Sequence, residues 1–170
     1  YLPLGADVTA GAKPPLYKLP LCVRYKLPGE AEKRECRLMD TQQMQWTLPE
    51  TRCPEYVIAN AGSTGYYRVR YQGELLGRLQ EQGLRPGATL LSEAEKATLL
   101  GDLAALLRNG QTTAEQALPW VGLAAQDQSR HVIGGAARLA LTLRDIVPQE
   151  QRPSYERFLR TTFGARLRAL

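Results

Sequence analysis

One histidine, His131, stands in a chain of 170 residues, and that scarcity excludes much chemistry. A hydrolytic zinc site takes about three protein ligands, usually His or Glu, and leaves one position open for water. The H-E-x-x-H pattern, which puts two ligands on one helix face, is absent. A Ser-His-Asp or Cys-His arrangement would have to use the same histidine, and no G-x-S-x-G elbow occurs. His131 opens an amphipathic stretch and reads as a helix-end residue. The expectation is no catalytic, cofactor-binding or metal-ligating residue in this chain.

Long apolar runs are missing too. Nothing approaches the roughly eighteen consecutive apolar residues of a membrane-spanning helix. No basic start followed by an apolar core marks a secretory signal. The sequence opens at Tyr1 rather than Met, which reads as an N-terminus that was cut, chosen or processed. The compartment stays open, with a soluble, cytoplasmic setting slightly favoured. Cysteine does not decide it: Cys22, Cys36 and Cys53 are odd in number and far apart, which argues against a disulfide framework or a zinc knuckle. One disulfide with a spare thiol remains open.

Basic residues exceed acids, 22 to 17, for a net charge of +5, which raises the question of nucleic acid. The charges are interleaved, however, as in Glu30-Ala-Glu-Lys-Arg-Glu35. The densest cluster, Arg152, Arg157, Arg160, Arg166 and Arg168, has helical spacing and reads as a solvated face. Interleaved aromatics or a recognition motif would be needed for a phosphate-tracking surface, so no nucleic-acid partner is expected.

What is present divides near Gln72. Before it lie strand signals. Leu19, Leu21, Val23 and Tyr25 alternate with smaller or polar residues, and Cys36 and Leu38 do the same. Pro28-Gly29 supplies a turn. Met44, Trp46 and Leu48 alternate with Gln43, Gln45 and Thr47. Tyr56 to Asn60 and Tyr66 to Tyr71 flank a loop with two glycines, which predicts a hairpin. Gly62-Ser-Thr-Gly65 looks like a phosphate or nucleophile loop, but no helix follows to bind an anion; it reads as the hairpin's loop. Short strands with Pro and Gly between them predict a small β-sandwich over residues 1–72.

Beyond Gln72, Leu, Ala, Glu, Gln and Arg dominate, all good helix formers. The spacing predicts a short helix from Gly73 to Gln82. A capping box at Ser92 and Glu95 opens a longer one that ends at Asn109-Gly110. A second box, Thr112 with Glu115, opens a helix burying Ala117, Leu118 and Val121, with Pro119 inside it. Ser129 caps a fourth helix that carries Val132, Ile133, Ala136, Leu139, Leu143 and Ile146. The last has Tyr155, Phe158, Leu159, Phe163 and Leu167 and runs out at Leu170. Residues 73–170 thus read as the N-terminal part of a helical-hairpin, HEAT/armadillo-like domain, truncated before further helices. The fold class is α+β in two segments. Glu95, Asp102 and Asp145 could pair as acids and bases, yet read as exposed helix faces. Gly134-Gly135 inside a helix costs roughly 1 kcal/mol per Gly relative to Ala, which close packing would offset.

Several segments in order carry a resemblance: Tyr1-Leu-Pro-Leu-Gly5, Leu19-Pro-Leu-Cys-Val-Arg-Tyr25, Trp46-Thr-Leu-Pro49, and Ile58-Ala-Asn-Ala-Gly-Ser-Thr-Gly-Tyr-Tyr-Arg-Val-Arg-Tyr71. With Leu91 to Asp102 and Ala104 to Gly110, they resemble the post-catalytic region of the aminopeptidase N family of zinc metallopeptidases. The resemblance is strongest from Tyr56 to Gly110. It implies a β-sandwich linking a catalytic domain to a C-terminal helical domain that covers the active site and limits which peptides enter. It also implies zinc in the parent's catalytic domain, which would be this chain's partner, and peptides as substrates of the parent. The family's zinc-binding, amine-binding and catalytic Tyr residues all precede this region, so none carries over. The chain alone should be inactive. The alternative is a stand-alone helical adaptor that binds another protein.

Overall fold

The computed structural model describes residues 16–49 and 51–167, and of Leu167 the backbone alone. The resembling segment at Tyr1–Gly5 lies outside the described residues, as do Arg168 and Leu170.

Strand β1 (Leu19–Lys26) is central. It pairs antiparallel with β2 (Lys33–Met39) on one side and with β3 (Tyr56–Ile58) on the other. The turn between β1 and β2 is the one Pro28-Gly29 announces: the Glu30 N–H donates to the Leu27 carbonyl at 3.1 Å. Gly29 takes φ 77 at the turn's third position, where a side chain would be strained. Cys22 lies opposite Cys36 in the ladder, and the two form a disulfide; Cys53 is free and exposed. The alternative of one bridge and one spare thiol is therefore the observed one.

Two expected strands do not form. In residues 43–48 the alternation is present in burial, with Met44, Trp46 and Leu48 half-buried between exposed neighbours, but the segment makes no ladder. The Arg37 guanidinium instead covers the Trp46 ring at 4.8 Å. The expected hairpin of 56–60 with 66–71 is also absent, because β3 pairs with β1 and the chain then enters a 3-10 turn at Ala61–Ser63. Among the described residues the β part is one three-stranded sheet, with no second sheet facing it. The α+β class stands without the sandwich's second layer.

The helices follow the sequence closely. They are α1 (Glu74–Gly83), α2 (Glu93–Arg108), α3 (Ala114–Ala124), α4 (Arg130–Arg144) and α5 (Arg152–Leu167). In the capping box of α2, the Ser92 hydroxyl accepts from the Glu95 N–H while the Glu95 carboxylate accepts from the Ser92 N–H. The box of α3 sits one residue later than expected: Thr113 is the cap, and Gln116, not Glu115, reaches back. Gln serves as well as Glu at that position, so the sequence permits either frame. Ser129 caps α4 as expected, accepting from the N–H of His131 and Val132.

The core lies between α2, α3 and α4. Leu100, Leu103 and Leu107 meet Trp120, Val121, Leu139 and Leu143, all buried. A Cβ on Gly135 would stand 3.1 Å from Leu100 Cδ1, so this glycine lets α2 and α4 approach. Gly134 meets nothing within 4 Å, and packing does not account for it. Ile146 lies past the end of α4 and is 48% exposed rather than core. Ile58 of β3 joins Leu79 and Leu91 in the helical core, so strands and helices share one interior.

Candidate functional site

Seven residues, two helical turns, separate Glu95 from Asp102, so both fall on one face of α2. That face is not exposed, contrary to expectation: Glu95 is 5% accessible and Asp102 is 2%. An unpaired buried carboxylate is costly, and each of these takes donors from the chain that precedes the helices, Glu95 adding one from its own helix cap.

Glu95 accepts four hydrogen bonds. Arg24 of β1 donates through Nε to Oε1 at 2.8 Å and through Nη2 to Oε2 at 2.6 Å. The Gly62 N–H donates to Oε1 at 2.8 Å and the Ser92 N–H to Oε2 at 2.9 Å. Burial pushes this carboxyl up, but the guanidinium and the two N–H groups outweigh it and hold it at about 2. Arg24 is correspondingly raised above its ordinary value, chiefly by the Glu95 carboxylate. The same guanidinium also reaches Glu32, the Leu90 carbonyl and the face of the Tyr56 ring. Asp102 takes the Arg68 guanidinium at 3.0 Å and the Val69 N–H at 3.1 Å. Burial still dominates and keeps its carboxyl above the usual aspartate range. On another face of α2, Lys96 pairs with Asp127 at 2.8 Å, and Asp127 accepts from the N–H of the α4 cap Ser129.

The segment between β3 and α1 is held by side chains where a ladder was expected. Asn60, buried, accepts from the Gly65 N–H at 2.9 Å and donates to its carbonyl at 3.0 Å. Tyr67 donates to the Ala59 carbonyl at 2.8 Å, and Tyr71 accepts from the Ala59 N–H at 2.9 Å. Burial raises the Tyr67 phenol and lifts Tyr71 to about 12. Tyr66, the neighbour of Tyr67, is 96% exposed.

Each buried charge of this junction has a partner: Glu95 has Arg24, Asp102 has Arg68 and Lys96 has Asp127. The resemblance implies zinc in the parent, and the donors of this chain do not fit that ion. His131 is exposed, Cys22 and Cys36 are joined, and Cys53 is alone. Among the described residues no three of His, Cys, Asp and Glu converge. No helix among them is long and apolar enough to cross a membrane. Sequence reasoning found the Ser92–Glu95 box but missed that Glu95 also binds Arg24 of β1, a partner 71 residues away that no local signal marks.

The junction joins a small three-stranded sheet to a set of helices through the buried carboxylates of α2. Residues 56–170 match the family model of the ERAP1-like C-terminal domain, and the chain belongs to that family. It is also similar to the puromycin-sensitive aminopeptidase of Caenorhabditis elegans, 28% identical over 99 residues. That stretch is 58% of this chain and 10% of the relative, so the chain spans a small part of that protein's length.

Proposed function

We propose that this chain is a non-catalytic part of a zinc-dependent aminopeptidase, with residues 1–72 as the linker to a preceding catalytic domain and 73–170 as the first helices of the C-terminal domain. The family membership and the similarity to a puromycin-sensitive aminopeptidase favour that parent. The carrying observation is the Glu95 cluster, which ties β1, the Gly62 loop and the start of α2 into one unit. A scaffold that sets the position of a helical domain over an active site needs such a fixed joint. On this reading the joint holds the helices at a constant angle and so fixes the opening through which peptides reach the catalytic domain. Zinc, substrate amine and scissile bond all belong to that domain, and this chain itself brings no nucleic-acid partner and no membrane segment to it. The test is to read the coding sequence upstream of Tyr1 in frame. H-E-x-x-H with a downstream Glu supports the parent; a start codon directly before Tyr1 with no such motif rejects it in favour of a stand-alone adaptor.

A further inference from the structure

An open groove of about 610 Å³ runs between α2 and α4, away from the Glu95 cluster. Its wall is small and apolar where Gly101, Ala104 and Gly135 line it, and Leu141 adds a side chain that is 55% exposed. Three guanidiniums, of Arg68, Arg108 and Arg138, line it against one carboxylate, that of Asp145. Asp145 already lies 3.8 Å from Arg144. Arg68 is fixed in place: its Nη1 binds the buried Asp102, and a Cβ at Gly101 would stand 3.3 Å from that nitrogen. The guanidinium therefore lies on the α2 backbone, and the side chain remains 48% exposed. Among the described residues the Arg108 and Arg138 side chains have no acceptor.

We infer that this groove docks an acidic segment of a partner protein. Guanidinium pairs best with a planar carboxylate, in two parallel N–H···O bonds. Arg108 stands seven residues beyond Gly101, where Arg68 is seated, which is about 10 Å along the helix. The occupant therefore carries carboxylates about that far apart, with an apolar side chain to cover Leu141. Single-stranded nucleic acid would instead want aromatic rings for base stacking, and none lines this groove. The inference does not depend on the aminopeptidase reading.

The test is fluorescence anisotropy on the chain at low salt with three labelled probes: a short Glu/Leu/Ala peptide, its Lys/Leu/Ala counterpart and an oligothymidylate. The Glu peptide binds, the Lys peptide does not, and added salt weakens binding. R108E/R138E lowers affinity by about tenfold or more, whereas R157E/R160E, equal in charge change but on α5, lowers it by less than about threefold. Both arginines of the first pair are exposed, and a thermal melt confirms that each variant is folded. Equal loss in the two double variants, tighter binding of the oligothymidylate, or no binding of the Glu peptide overturns the inference.

Discussion

Arg24 and Glu95 stand 71 residues apart in the chain and meet in a two-bonded pair, Nε to Oε1 and Nη2 to Oε2. Glu95 also completes its own helix cap. One carboxylate thus starts α2 and fastens it to β1, so helix formation and sheet docking are coupled through a single side chain.

Removal of that carboxylate leaves Arg24 without its main buried partner and the Gly62 N–H without its acceptor. Breaking a buried pair by deleting one partner costs about 3–5 kcal/mol. Glu95→Ala is expected to destabilise the chain by that order in urea unfolding. Exposed Glu93→Ala, in the same helical turn, should change stability by less than about 1 kcal/mol. Equal effects from the two would contradict the assignment.

Acid should act through Glu95. Its folded value of about 2 lies below the ordinary 4.5, so its contribution is complete above the unfolded value and is lost as pH falls through the folded one. The window runs from about 4.5 down to about 2, and the contribution is of order 3 kcal/mol. Asp102 has the opposite sign: raised by burial, its ionisation opposes folding, so its protonation favours the fold as pH falls. Glu95→Gln should flatten stability against pH in that window; Asp102→Asn should leave the Glu95 slope in place.

Tyr67 and Tyr71 share the peptide groups of Ala59. Tyr67→Phe leaves the carbonyl without its phenol donor and Tyr71→Phe leaves the N–H without its acceptor, each at about 1–3 kcal/mol. The exposed Tyr66→Phe should stay within about 0.5 kcal/mol. Melting temperatures of the three variants check the ranking.

The adjacent glycines of α4 should respond in opposite directions. Gly134→Ala meets open space and should stabilise by up to about 1 kcal/mol. Gly135→Ala drives its methyl against the fully buried Leu100 and should destabilise.

Helices were legible because their signals are local. Ser92 with Glu95 and the leucine spacing from Leu99 to Leu107 placed α2 with no tertiary information. The strands were legible only as faces. Met44, Trp46 and Leu48 do alternate in burial, as do Tyr67, Val69 and Tyr71, but alternation reports which side chains face inward and not where backbone hydrogen bonds go. In 66–71 the Val69 N–H goes to Asp102 rather than to a neighbouring strand, and the segment reaches Ala59 through the phenols of Tyr67 and Tyr71. Glu95 and Asp102 looked like exposed acids because their partners, Arg24 and Arg68, lie 71 and 34 residues away, and nothing local marks such pairs.

The most direct test of the scaffold reading is an aminoacyl-fluorophore assay run in parallel on this chain and on the longer protein proposed to contain it, both supplied with zinc. The account predicts no hydrolysis by the chain and chelator-sensitive release of N-terminal residues by the longer protein. Hydrolysis by the isolated chain, or none by the longer protein, would contradict it.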